Sequence, residues 1–192
     1  MNQHIEIEFK NLLNEKEFSQ LIDHFHIDPS TFHTQQNHYF DTANFSLKSQ
    51  NSALRIRKKN NQHELTLKQP ASEGLLETNQ TISGEMAHSF LKEGIFPEGP
   101  VRNLIMKSDL NPDDFTCFGT LQTDRSEFPF QGGLLVLDHS SYMGQEDYEL
   151  EYEVTDFEGG QKKFLNLLES LQIPVRETEN KVKRFYRAKF SE

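Results

Sequence analysis

The sequence has one cysteine, no tryptophan and no long apolar run. The lone Cys117 excludes an intramolecular disulfide framework and any zinc site built on clustered cysteines, and it reads as a small buried hydrophobe. No stretch approaches the roughly 18 consecutive apolar residues of a membrane helix. The opening residues MNQHIEIEFK lack the basic start and apolar core of a signal peptide, so a cytoplasmic location is expected. Basic residues are in deficit, 20 Lys and Arg against 30 Asp and Glu, for a net charge of −10. That balance argues against non-specific nucleic-acid binding and against anionic membrane surfaces, while leaving room for a local basic cluster that takes a small polyanion. The 10 glycines and 7 prolines are scattered as turn punctuation, without repeats or low-complexity tracts. Residues 1–192 therefore read as one domain.

What is present is a regular alternation. From His4 to Lys10, Ile5, Ile7 and Phe9 alternate with Glu6, Glu8 and Lys10, the period of a strand with one apolar and one charged face. Asn14 then reads as a helix N-cap with Glu17 three residues on, Leu13 and Phe18 as a hydrophobic staple, and a helix that ends before Pro29. Residues 34–41 predict a strand, and 52–59 and 63–69 predict a hairpin turning at Asn60 and Asn61. A fifth strand is expected over 75–83, then two short helices within 85–107, broken at Pro97 to Pro100. Three more strands, 115–127, 134–142 and 147–155, precede a helix over 161–171 and a last amphipathic segment over 179–190, read as helix. Roughly eight strands with helices between them give a mostly antiparallel α+β protein.

Several strands carry charge on every second residue. Glu6, Glu8 and Lys10 share one face, Arg55 and Arg57 another, and Glu149, Glu151 and Glu153 a third, opposite Leu150, Tyr152 and Val154. A wet side of an antiparallel sheet is the ordinary explanation for any one such face. Three carboxylates at i, i+2 and i+4, however, crowd within about 7 Å of their neighbours and repel. Such clustering costs stability, and a divalent cation with oxygen ligands, Mg²⁺ or Mn²⁺, is the expected offset. Arginines at 55 and 57 suit bidentate recognition of phosphate oxygens. Segregated acidic and basic strands suggest metal ions bridging carboxylates to a polyphosphate. If the strands curl with charges inward, their apolar faces point out and are covered by helices.

The residues in order resemble the CYTH superfamily, the triphosphate tunnel metalloenzymes. Glu6, Glu8 and Lys10 match its ExExK signature. Tyr39 to Thr42, Leu54 to Arg57, Leu65 to Lys68, Arg125, Leu137 and Asp138, the Glu149 to Glu153 alternation, and Asn180 to Arg184 follow in family order. The resemblance implies an eight-stranded antiparallel closed β-barrel, a tunnel with a hydrophilic lumen and helices packed on the outside, that hydrolyses triphosphate compounds with Mg²⁺ or Mn²⁺. Some relatives are adenylate cyclases, and this chain looks most like the small bacterial members labelled adenylate cyclase or thiamine triphosphatase. Carried over residue by residue, Glu6, Glu8, Glu77, Asp138, Glu149, Glu151 and Glu153 resemble metal-side carboxylates, with the ExE pair among the last three left open. Lys10, Arg55, Arg57, Lys68 and Arg125 resemble triphosphate ligands, and Lys181 and Arg184 are placed to close one end. Thr123 stands where many relatives have lysine, and Asn79 where a second acid often follows Glu77.

The implied chemistry fits the residue types. A linear triphosphate carries about four to five negative charges, and transfer of its terminal phosphoryl group needs charge neutralisation and in-line positioning more than covalent catalysis. Glu8, Glu149 or Glu151 is the expected base for an attacking water. The leading expectation is a metal-dependent triphosphatase acting on inorganic tripolyphosphate, thiamine triphosphate or a nucleoside triphosphate. An adenylate cyclase and a polyphosphate-binding module without turnover are the alternatives; oligomeric state is left open. The histidines lack HxxxH or HExxH spacing and read as surface or hydrogen-bonded groups, and Gly132-Gly133 and Gly159-Gly160 read as a hairpin turn and a helix-entry loop.

Overall fold

The alternating segments form eight strands, β1 (Asn2–Leu13), β2 (His33–Thr42), β3 (Ala53–Lys59), β4 (Gln62–Pro70), β5 (Leu75–Ile82), β6 (Phe115–Phe130), β7 (Gly133–Tyr142) and β8 (Gln145–Val154). In the computed structural model, which describes residues 2–190 with Asn2 by its backbone alone, they close a barrel in the order β1-β5-β4-β3-β2-β6-β7-β8. Six helices accompany them among the described residues: α1 (Glu15–Phe25), α2 (Ser46–Ser49), α3 (Gly84–Glu93), α4 (Pro100–Lys107), α5 (Phe157–Ser170) and α6 (Lys181–Phe190). The expected α+β antiparallel barrel is the observed fold. Among the described residues no helix is long and apolar enough to cross a membrane.

By contact the chain divides into two units, residues 1–5 with 35–121 and residues 6–34 with 122–192. In the first unit Phe40, Leu54, Ile56, Leu65 and Leu67 occupy one face of the β2–β5 strands and pack with Leu47 of α2, Phe90 of α3 and Ile105 of α4. Phe40 and Phe90 stack face to face at 4.0 Å between centroids. In the second unit Leu135, Leu137, Leu150 and Tyr152 do the same against Leu21 of α1 and Phe164 and Leu168 of α5. Since each strand has one face against helices, period 2 turns its other side chains away from them. That alternate set is referred to below as the inner face.

Local chemistry explains the boundaries. The Asn14 carboxamide accepts the Glu17 N–H and the Glu17 carboxylate accepts the Asn14 N–H, the expected capping box. Asn60 takes a left-handed φ of 54° at the β3–β4 hairpin. The helix expected over 161–171 starts four residues earlier, because Asp156 caps it by accepting the Gly159 N–H. Its two glycines thus lie in the first turn instead of in an entry loop, and Gly160 is required there by close approach: a Cβ would stand 2.6 Å from the Val154 side chain and 3.0 Å from Phe9. The short helix α2 was not expected. It is nucleated by the buried Asp41, whose carboxylate accepts the N–H groups of Thr42 and Leu47 at Oδ1 (2.8 and 2.9 Å) and of Lys48 at Oδ2 (3.0 Å).

A four-residue helix does not form by itself, since the first turn fixes several dihedrals for one hydrogen bond. Asp41→Ala should therefore release α2 and Leu47 and cost about 2 kcal/mol, a drop of about 4–8 °C in melting temperature for a chain this size. Asp41→Asn, which keeps an acceptor oxygen, should lose less than half of that. Thermal melts of the two variants check it; equal losses would mean that α2 is held by its packing and not by the carboxylate.

Candidate functional site

In the second unit the strand registers gather the charged inner face. Glu8 lies opposite Glu153 and Lys10 opposite Glu151 across β1–β8. Glu149 lies opposite Asp138 across β7–β8, and Asp138 opposite Arg125 across β6–β7. Asp138, Glu149 and Glu151 are buried, as are Arg125 and Arg184. Burying charge is tolerated only with partners, and these groups have them. Arg125 donates from Nε and Nη2 to the two Asp138 oxygens at 2.7 and 2.6 Å, and from Nη2 to Glu151 Oε2 at 2.8 Å. Lys181, in the first turn of α6, places Nζ 2.5 Å from Glu149 Oε1, 2.5 Å from Glu151 Oε1 and 2.9 Å from Asp138 Oδ2. One turn on, Arg184 holds Glu149 Oε2 at 2.6 Å and Asp147 Oδ2 at 2.8 Å, and the Tyr142 hydroxyl donates to the same Asp147 oxygen at 2.5 Å.

This network fixes protonation. Burial pulls the Lys181 amine down, but Asp138, Glu149 and Glu151 outweigh it and hold the amine well above its usual value. Burial likewise pushes Glu151 up, yet Lys181 and Arg125 overcome it and keep that carboxyl ionised, well below the usual range. Glu149 is pushed up, chiefly by burial, with the like charge of Glu151 adding to it against Lys181. The expected repulsion along β8 is thus offset at residues 149 and 151 by the protein's own cations, Lys181, Arg125 and Arg184.

A second acidic group is different. Glu6, Glu8 and Glu153 bring one carboxylate oxygen each within 4.8 Å of one another and are half-buried. Lys10 pairs with Glu8. Burial pushes the Glu153 carboxyl up to about 7, opposed by Arg125 and reinforced by Glu6, Glu151 and Glu8. Three hard anionic oxygens at this spacing, from groups that resist sharing charge, are a donor set suited to Mg²⁺ or Mn²⁺.

In the first unit the inner face is more basic. Across β2–β3, Asn37 lies opposite Arg57 and Tyr39 opposite Arg55. Arg55 then lies opposite Thr66, which lies opposite Asn79, and Lys68 lies opposite Glu77. Arg57 Nε donates to Asn37 Oδ1 at 3.4 Å, and Thr66 Oγ1 donates to Asn79 Oδ1 at 2.7 Å. Lys68 pairs with Glu77, whose other oxygen lies 3.6 Å from His4 Nε2.

Every residue singled out from sequence lies on these inner faces or, for Lys181 and Arg184, enters the second one from α6. The structure sorts the acids that sequence left together: Glu6, Glu8 and Glu153 form one group, Asp138, Glu149 and Glu151 form a cation-paired group, and Glu77 sits with Lys68. Thr123 shares a 3.1 Å hydroxyl contact with Ser140. Two participants were missed. Asp147 continues the 149–151–153 alternation by one step and so carried a signal; Asn37, opposite Arg57, carried none.

The family model described as CYTH domain matches residues 4–186. The chain is 47% identical over 189 residues to the Bacillus subtilis (strain 168) protein named "Putative triphosphatase YjbK", covering 98% of each. A crystal structure of a "putative adenylate cyclase" from Bacillus halodurans is 44% identical, covers 97% of this chain and 100% of that one, and superposes with a TM-score of 0.94. HpAC1 from Hippeastrum, described as a putative adenylyl cyclase with a dominant triphosphatase activity, is 28% identical, covers 95% of each chain and has a TM-score of 0.76.

The two acidic groups should respond oppositely to neutralisation. A carboxyl raised from 4.5 to about 7 holds its proton in the folded state where the unfolded chain has lost it, so its contribution to stability falls as pH rises through that window. Glu153→Gln should remove that pH-dependent component and raise the metal-free melting temperature near pH 8 by a few degrees, a gain of about 1 kcal/mol. Glu151→Gln should lower that melting temperature, a loss of about 3 kcal/mol, since it strips a buried anion from Arg125 and Lys181. Melts of wild type and both variants between about pH 6 and 8 check the pair; shifts of the same sign would refute the division.

Proposed function

The chain belongs to the CYTH domain family, and from that premise we propose that it hydrolyses a triphosphate compound with the help of Mg²⁺ or Mn²⁺. Inorganic tripolyphosphate, thiamine triphosphate and nucleoside triphosphates are the substrates considered. The observation that carries the reading is the second unit's inner face, where Arg125 of β6 and Lys181 and Arg184 of α6 meet the acids of β7 and β8, with a separate carboxylate trio on β1 and β8. The names of two relatives, a triphosphatase and a protein with dominant triphosphatase activity, point the same way. A cytoplasmic location and one functional domain over residues 1–192 belong to the same proposal.

In this reading Lys10, Arg125, Lys181 and Arg184 bind phosphate oxygens, and Arg55, Arg57 and Lys68 are proposed phosphate ligands as well. Asp138, Glu149 and Glu151 hold Arg125, Lys181 and Arg184 in position, and Glu77 holds Lys68, so little reorganisation is needed there when the substrate's charge arrives. Glu6, Glu8 and Glu153 would hold the divalent ion, which when bound neutralises phosphate charge and makes water more acidic. Glu151, kept ionised far below neutrality, is a weak proton acceptor, which leaves Glu8 and Glu149 as the proposed bases for the attacking water. The residues assigned here address phosphates and none addresses a base, which favours tripolyphosphate over a cyclase reaction on ATP.

Phosphate release from tripolyphosphate, thiamine triphosphate and ATP, each with and without Mg²⁺ or Mn²⁺, tests the proposal. Release from tripolyphosphate should be at least as fast as from ATP. Cyclic AMP as the main product from ATP would overturn it in favour of the cyclase, and no release with either metal would leave a binding module. Arg57→Ala should reduce kcat/KM by about 10² or more, the scale of losing one preorganised charge donor.

A further inference from the structure

Along β1 the face turned toward the helices runs Ile7, Phe9, Asn11, Leu13, so a carboxamide stands where the pattern calls for an apolar side chain. Asn11 is completely buried, at 0% exposure. A buried amide must be hydrogen-bonded at both ends, and the segment between α5 and α6 supplies both partners. Asn11 Nδ2 donates to the Pro174 carbonyl at 3.1 Å, and Oδ1 accepts the Arg176 N–H at 2.6 Å. The side chain therefore binds this segment's backbone as a neighbouring strand would.

Two further contacts pin the same segment. Arg176 donates from Nη1 to the Leu12 carbonyl and to Glu17 Oε2, and from Nη2 to Glu17 Oε1, each at 2.8 Å. Glu17 is itself fixed by the Asn14 N–H at the start of α1. Thr178 Oγ1 accepts the Leu12 N–H at 2.9 Å and donates to the Arg176 carbonyl at 3.0 Å. Residues 174–178 are thereby held at three points, and three residues later Lys181 opens α6 and reaches Glu149, Glu151 and Asp138. A ten-residue helix is too short to place itself, so its register is set by what precedes it and what it docks on. Lysine is also costly to order, with several rotatable bonds to fix.

We propose that Asn11 and Arg176 are positioning residues, a clamp that acts through Lys181 by fixing where α6 begins. The activity arm of its test rests on the function proposed above; the chemical arm does not. In the chemical arm, the folded wild type is acetylated with limiting acetic anhydride, and labelling of Lys181 is compared by mass spectrometry with that of the exposed Lys183 in the same helix. Asn11→Leu, which suits the apolar face, and Arg176→Ala should each raise Lys181 labelling relative to Lys183 about tenfold, the effect of a more frequent local opening. In the activity arm each variant should lower kcat/KM for tripolyphosphate about tenfold, with no further loss when combined with Lys181→Ala, since the pair would then have nothing left to act through. Should Asn11→Leu fail to fold, Arg176→Ala carries both arms. Wild-type protection of Lys181 in a folded variant, or losses fully additive with Lys181→Ala, would overturn the clamp. A wild type without turnover would refute the proposed reaction and leave the labelling result to decide the clamp.

Discussion

A charge removed from water must be met by an opposite charge or a ring of hydrogen bonds, and this requirement organises the structure from the inner faces outward. Buried Arg125 and Arg184 and the half-buried Lys181 are each held by two or more carboxylates. The carboxylates come from β7 and β8, and the cations from β6 and from a helix late in the chain. Correct register on β6, β7 and β8 is therefore a condition of tolerating any of them, because a slip of one residue would put every charge among the leucines of the other face. Helix α6 is part of the same condition, since without Lys181 and Arg184 the acids at 138, 149 and 151 would stand as concentrated like charge.

The same network divides the acids by role. Asp138, Glu149 and Glu151 each meet two of Arg125, Lys181 and Arg184, whereas Glu6, Glu8 and Glu153 lie close to one another with Lys10 on Glu8 and hold a partly discharged carboxyl at residue 153. A strand that alternates Asp147, Glu149, Glu151, Glu153 thus passes from one regime to the other in a single step of two residues. The distinction is set by neighbours and not by residue type: Lys181 reaches 149 and 151, while residue 153 lies opposite Glu8.

Much of this was legible in the chain. Period-2 alternation located all eight strands, and the Asn14–Glu17 box located the first helix, because each signal is local and has one dominant physical cause. The helix α2 was not legible, since it depends on Asp41, whose carboxylate reaches forward to residues 47 and 48, a contact that no periodicity encodes. The early start of α5 was hidden by two glycines that ordinarily mark loops. In the site, residue identities were legible from ordered motifs, but the sorting of seven carboxylates was not. Which acid meets which cation depends on strand order and on a lysine from the opposite end of the sequence. The first strand was expected to end at Lys10 and runs on to Leu13, so Asn11 went unmarked, and its partner lies more than 160 residues downstream.

The pairing of β1 with β8 has a consequence for how the molecule assembles. These strands lie near the two ends of the chain, so their junction closes the longest loop and is the entropically slow contact of the fold. It is also where Glu8 is brought beside Glu153. At that one pair the junction brings together groups that repel as they approach, beside the attraction of Lys10 and Glu151, and its share of the kinetic barrier depends on the medium. A proton on Glu153 lowers it, and a divalent cation bound between the two strands would do the same. A cation held there while the chain folds would in that sense act on assembly before any reaction of the finished protein.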